Sequence, residues 1–218
     1  MSYQLIIFDF DGTLADSFPF FLDTVDLLAD THGFRRIDRS QLDTLRGFDA
    51  MQIIRHVGLP LWKLPRLGAH YKSLMAERAG AIPLFDGVPG MLRRLAQAGM
   101  TLGIVTSNSY DNVAAVLGAD NMALISHWEC GASLFGKAGK LRRLVARSGC
   151  ARQAVLCVGD ELRDIDAARK AGLACGAVAW GYAHAHALQA RQPTMLFASI
   201  DELIDRLAGP GASREAGA

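Results

Sequence analysis

Two aspartates two positions apart, Asp9 and Asp11, end an apolar run, Leu5-Ile6-Ile7-Phe8, and Gly12 follows at once. Carboxylates this close repel each other unless a positive charge lies between them. The simplest such partner is a hard divalent cation, Mg²⁺, which takes oxygen ligands and keeps water in its shell. Taken alone, Asp-Gly could be no more than turn chemistry at the end of a strand. Three further groups weigh against that: Thr106-Ser107-Asn108, Lys137, and Asp160 with Asp164 beyond it. Together they offer carboxylates for a cation, a hydroxyl and backbone N–H groups for an oxyanion, and one ammonium. That inventory suits phosphoryl transfer, where catalysis is mostly positioning and charge neutralisation.

Such residues act together only if the fold brings them to one edge. The run before Asp9 reads as a strand buried on both faces, which implies a parallel sheet covered by helices. Its carboxyl end is then where an open α/β sheet keeps its ligands. Ser17 is expected to cap a helix that starts near Pro19 and stops near Gly33. Shorter helices are expected over 40–45, 50–57 and 67–78, with no strand between residues 15 and 82. Alternation returns afterwards. Helices are expected over 90–98, 111–117, 137–147, 164–171 and 201–207. Strands are expected over 101–105, 123–126, 154–158 and 175–179, and the tail from Gly209 is expected to fray. Repeated βα units with short connections predict a doubly wound parallel sheet. The helical block is then an insertion after the first strand, placed to roof the strand ends. The expected division is an α/β core over 1–14 and 83–218 and a helical unit over 15–82.

Half of the 218 residues are apolar and 21% are charged, enough to bury a sizeable core. The formal net charge is +1 and the basic residues are dispersed, which points away from nucleic acid and from anionic membrane surfaces. Arg35-Arg36, Arg93-Arg94 and Arg142-Arg143 read as solvated helix faces. Cys130, Cys150, Cys157 and Cys175 show neither CxxC spacing nor a disulfide framework, and Cys157 reads as a small core residue. The N-terminus has no basic region or cleavage site, and no apolar run is long enough to span a bilayer. A cytoplasmic protein is the expectation.

The stretches Asp9-Phe10-Asp11-Gly12-Thr13-Leu14, Val105-Thr106-Ser107-Asn108, Lys137 and Gly159-Asp160-Glu161-Leu162-Arg163-Asp164 resemble, in order and spacing, the four motifs of the haloacid dehalogenase-like phosphohydrolase superfamily. Val178-Ala179-Trp180-Gly181-Tyr182 extends the likeness toward its phosphoglycolate phosphatase-like group, and the helical insertion resembles that group's cap. The resemblance implies a phosphatase acting on a small phosphorylated metabolite. In it Asp9 is the nucleophile and forms an aspartyl-phosphate. Asp11 protonates the leaving oxygen and then deprotonates water. Mg²⁺ is held by a side-chain oxygen of Asp9, the backbone carbonyl of Asp11, and Asp160, while Asp164 orients metal-bound water. Thr106, with the backbone amides of Ser107 and Asn108, holds phosphoryl oxygens, and Lys137 supplies a fixed positive charge.

The third motif departs from the pattern, since Ala138 stands where that group places proline. Lys140 therefore competes with Lys137, whose spacing to Asp160 fits better. Arg46, between helices of the insertion, could read a substrate carboxylate or be a surface residue. His184 and His186 form an HxH without a third ligand, read as a solvated loop. Trp180 and Tyr182 read as packing residues, and Glu161 as a helix cap or a helper of the metal site. A dehalogenase is disfavoured by Asp11. A phosphosugar mutase shares every catalytic residue. A receiver-like signalling module or a non-catalytic binding protein are the alternatives outside the enzyme class.

Overall fold

Leu5-Ile6-Ile7-Phe8 forms β1 (Leu5–Phe8), every residue buried, inside a six-stranded sheet. The computed structural model describes residues 3–131 and 136–209. After β1 come four helices, α1 (Phe18–His32), α2 (Leu42–Leu45), α3 (Ala50–His56) and α4 (Leu64–Arg78). Alternation then resumes with α5 (Val88–Gln97), β2 (Thr101–Val105), α6 (Tyr110–Met122), β3 (His127–Glu129), α7 (Lys137–Ser148) and β4 (Val155–Gly159). The chain continues through α8 (Leu162–Ala171), β5 (Ala174–Val178), α9 (Ala185–Ala190), β6 (Met195–Phe197) and α10 (Ile200–Ala208).

The strand order is β3-β2-β1-β4-β5-β6, and all pairings are parallel. Alternate residues of β1 serve opposite faces. Ile6 and Phe8 enter a core with Met91 and Leu92 of α5, whereas Leu5 and Ile7 enter one with Leu144 of α7 and Ile165 of α8. Helices on both faces explain why the run is apolar without interruption. Phe8 is in register with Ile104 and Val158, so Asp9, Thr106 and Asp160 emerge at the same edge. From β1 the chain winds outward to β3, then returns to β4 and winds the other way. The crevice at β1 is therefore the topological switch point, where doubly wound sheets take ligands.

The insertion has a small core of its own, built on Val25, Ile37, Leu45, Ile54, Val57 and Leu59. At its base Phe20, Met75 and Ile82 join the main core instead.

Several local expectations need correction. Ser17 stands at the N-cap of α1 but makes no capping bond, because its hydroxyl pairs with Tyr182 Oη at 2.9 Å. The helix expected over 67–78 begins at Leu64 and takes Pro65 into its first turn, where a missing N–H costs nothing. The strand expected over 123–126 does not form there, and β3 begins directly after it at His127. It is a half-buried edge strand, so the apolar signal fell on the turn before it. α6 runs on to Met122 through a break at Gly118, where φ is 72°. β6 and α9 were not anticipated; both are short, and only Phe197 of β6 is fully covered. The tail expected to fray beyond Gly209 lies outside the described residues.

No helix among the described residues is long and apolar enough to cross a membrane. All four cysteines are free, and burial pushes the Cys157 thiol up to about 12.

Candidate active site

β1 delivers Asp9 to the crevice with 4% of its surface exposed, its Oδ1 accepting the Phe10 N–H at 2.8 Å. The chain then turns tightly, with the N–H groups of Leu14 and Ala15 both on Phe10 O and that of Gly12 on Ala15 O. Gly12 is required twice over. Its φ is +74°, and a Cβ there would lie 2.2 Å from Asp160 Oδ2. Gly181 is under the same pressure from the other side, since its Cβ would meet Asp160 Cβ and Gly12 O at 2.3 Å.

Asp160, completely buried just beyond β4, is held at both oxygens. Thr13 Oγ1 donates to Oδ1 at 2.7 Å and the Tyr182 N–H to Oδ2 at 2.8 Å. Asp164, in the first turn of α8, accepts the Glu161 N–H at 3.0 Å on Oδ2 and Lys137 Nζ at 2.6 Å on Oδ1. Lys137, the first residue of α7, also stands 2.7 Å from Asp9 Oδ2. Carboxylate oxygens of Asp9, Asp160 and Asp164 all lie within 4.8 Å of one another, each residue buried.

Burial raises the pKa of Asp9 above the ordinary value, with Lys137 only partly offsetting it. Burial, then the charges of Glu161, Asp164 and Asp9, raise Asp160 further. Burial opposes ionisation of Asp164 too, but Lys137 and Arg163 more than offset it and hold its pKa low. For Lys137, burial is outweighed by Asp164 and Asp9, so the ammonium stays charged. Burial and the charge on Asp9 lift Asp11 to about 6. Two cations, Lys137 and Arg163, thus face the carboxyl groups of Asp9, Asp11, Asp160, Glu161 and Asp164. Paired like charges in a dry crevice call for a further cation, and an all-carboxylate donor set fits a hard one such as Mg²⁺.

Thr106 is buried at the end of β2, and its hydroxyl accepts the Asn108 N–H at 3.0 Å. That amide, expected to hold a phosphoryl oxygen, is turned onto Thr106 instead. Ser107 is half-buried beside it. The Asn108 side chain reaches Asp11 Oδ2 at 3.2 Å, so it touches the second aspartate beyond β1. The Asp11 side chain stands outside the three-carboxylate cluster.

Lys137 and Lys140 part company clearly. Lys140 Nζ donates to Cys130 O at 2.5 Å, away from the aspartates. Arg46 is neither at the carboxylates nor free at the surface. Its Nε donates to Tyr182 O and its Nη2 to Gly181 O, each at 2.8 Å, stitching the insertion to the strand-end loop. The HxH is no solvated loop. His184 stands at the N-cap position of α9 without a capping bond, and its Nε2 bonds Asp43 O of the insertion at 2.9 Å, while His186 is exposed on α9. Trp180 does more than pack, since its Nε1 donates to Thr13 O at 3.1 Å. Glu161 sits at the N-cap of α8 and its carboxylate pairs with Arg163.

Thr13, Arg163 and the Tyr182 N–H were missed as site members. Thr13 and Arg163 lie inside the recognised motifs, so position in the motif was the available signal. The Tyr182 amide had none, because a backbone group leaves no mark on the sequence.

A family model described as haloacid dehalogenase-like hydrolase matches residues 6–178. The chain belongs to the haloacid dehalogenase-like hydrolases. This hydrolase is 37% identical over 202 residues to a phosphoglycolate phosphatase of Synechococcus elongatus, covering 92% of this chain and 95% of that one. It is 29% identical over 215 residues to a 5'-nucleotidase of Pseudomonas aeruginosa, covering 93% and 95%. Among solved structures, a haloacid dehalogenase-like family hydrolase from Streptococcus pneumoniae shares its fold. The TM-score is 0.77 at 20% identity, over 94% of this chain and 98% of the other.

Proposed function

We propose that this haloacid dehalogenase-like phosphatase hydrolyses a small phosphorylated metabolite, phosphoglycolate being the leading candidate, through an aspartyl-phosphate on Asp9. The observation that carries the reading is the buried cluster of Asp9, Asp160 and Asp164 with Lys137 bonded into it. The names of the relatives support the substrate class. A cavity of about 60 Å³ between insertion and core, walled by Phe18, Phe21, Arg46, Phe48 and Tyr182, supports a compact leaving group.

In this reading Asp9, Asp160 and the main-chain carbonyl of Asp11 would hold Mg²⁺, with Asp164 behind them. The cation supplies the charge neutralisation that lets a carboxylate approach a phosphate dianion. Asp9 attacks phosphorus in line, and Lys137 balances charge on the transferring group. Asp11, with its pKa lifted to about 6, is suited to give a proton to the leaving oxygen and to take one from the hydrolytic water. Thr106 donates its hydroxyl hydrogen to a phosphoryl oxygen.

The test is phosphate release from phosphoglycolate, sugar phosphates, nucleoside monophosphates and pyrophosphate, with Mg²⁺ and with EDTA. Metal-dependent release, highest in kcat/KM for phosphoglycolate, is the expected result. A preference for nucleotides would move the substrate toward the 5'-nucleotidase relative. Phosphate migrating within a sugar phosphate, without release, would replace the phosphatase reading by that of a mutase.

A further inference from the structure

Asn112 is 4% exposed in the first turn of α6, and no catalytic motif includes it. Its Nδ2 donates to Lys72 O of α4 at 3.1 Å and to Asn108 Oδ1 at 3.1 Å, so both amide hydrogens are used. Asn108 Oδ1 also accepts the Ser109 N–H at 2.9 Å. Asn108 Nδ2 in turn donates to Asp11 Oδ2 at 3.2 Å and to the buried Met75 Sδ at 2.8 Å.

The orientation of this chain of amides is forced at both ends. A carbonyl, Lys72 O, can only accept, so the NH₂ of Asn112 must face it. A backbone N–H, that of Ser109, can only donate, so the oxygen of Asn108 must face that. The NH₂ of Asn108 is then left for Asp11. One carboxyl oxygen of Asp11 is thereby held, while Oδ1 is buried and takes no hydrogen bond from the protein.

We infer that Asn112 is a positioning residue for Asp11: acting through Asn108, it pins Oδ2 and leaves Oδ1 as the oxygen that carries the proton. This rests on the proposed role of Asp11 as the acid. In the step concerned, a carboxylate oxygen of Asp9 forms a bond to phosphorus and the bond from phosphorus to the ester oxygen breaks. The electron pair stays on that oxygen, which takes the proton from Asp11 Oδ1. The products are an aspartyl-phosphate, a free alcohol and an ionised Asp11. Because the relay begins on the main chain of α4, the aim of the acid is tied to the seating of the insertion.

Leaving groups test this directly. An alkyl alkoxide must be protonated as it departs, whereas p-nitrophenolate leaves without help. The measurement is the ratio of kcat/KM for an alkyl phosphomonoester to that for p-nitrophenyl phosphate, with Mg²⁺, in the parent, Asn112→Leu, Asn112→Asp and Asp11→Asn. Each kcat/KM covers only the steps through phosphoryl transfer, and their ratio does not depend on how much of a variant is folded. We expect the ratio to fall about 10- to 100-fold in both Asn112 variants and further in Asp11→Asn. An unchanged ratio in the Asn112 variants, beside a fall in Asp11→Asn, overturns the role of Asn112. An unchanged ratio in Asp11→Asn overturns the acid role itself, and the inference with it.

Discussion

The two halves of the crevice are built to different standards. On the sheet side, Asp9 and Asp160 leave rigid strands and Asp160 has both oxygens bonded. Gly12 and Gly181 are so close that neither could carry a methyl group. On the insertion side, Phe20, Met75 and Ile82 seat the base in the main core, but the face over the strand-end loop is held by the Arg46 fork to two carbonyls, the His184–Asp43 contact and an Asp49–Arg191 pair at 3.5 Å that is one-third exposed. Exposed and half-exposed ion pairs contribute little, about 1 kcal/mol or less. The difference teaches that positions meant to do chemistry are over-determined by close backbone packing, while the covering part is packed firmly only at its base and its face over the loop is held by a few polar bonds.

The comparison breaks most sharply at Asp9. Asp9→Asn is expected to lower phosphate release by roughly 10⁴-fold or more, since no other group can accept the phosphoryl group in its place. Single-turnover phosphate release checks it, and residual activity within tenfold of the parent would refute the nucleophile. Next comes the contrast between two lysines three residues apart. Lys137→Met should cost about 10²- to 10³-fold in kcat, because it leaves Asp9 and Asp164 unbalanced, while Lys140→Met should stay within about threefold. Steady-state rates on one substrate decide it, and equal effects would erase the distinction drawn from their contacts.

A third test sharpens what the rigid half costs. Asp11 is raised from 3.8 to about 6. Between these values the folded protein keeps a proton that the unfolded chain has released, so its contribution to stability is greatest below pH 4 and falls as pH rises toward 6. The loss is about 3 kcal/mol across that window. With EDTA present, Asp11→Asn should flatten the decline of Tm with pH between 4 and 6. A slope unchanged in the variant would assign it to Asp9 and Asp160, whose pKa values are also raised. The smallest effect is expected on the insertion side. Arg46→Ala should raise KM by about tenfold with little change in kcat, and lysine should not restore it, because an ammonium cannot bond two carbonyls as a fork does. A large fall in kcat with KM unchanged would mean that Arg46 acts on the transition state.

Legibility in the sequence followed the same division. β1, β2 and β4 were readable because burial on both faces leaves unbroken apolar runs, and the acids, Thr106 and Lys137 stand at fixed places relative to those runs. β3 and β6 were misread or missed because short edge strands are only half covered, so their residues carry no strand-like signature. Thr13 on Asp160 joins positions 147 apart, and Asn112 on Lys72 O uses a main-chain oxygen. Neither kind of contact has a local pattern to find. Arg46 is ambiguous in the sequence for a related reason: an arginine in a loop announces that it will bond something, but not whether that is a substrate or a carbonyl.

α1 has a foot in each of two cores, Phe20 in the main one and Val25 in that of the insertion. An α-helix of 15 residues is a stiff rod. Its inner end carries Ser17, bonded to Tyr182, and the Tyr182 N–H bonds Asp160. The outer helices therefore cannot tilt independently of that rod, which works as a lever with its short arm resting on the loop that grips Asp160.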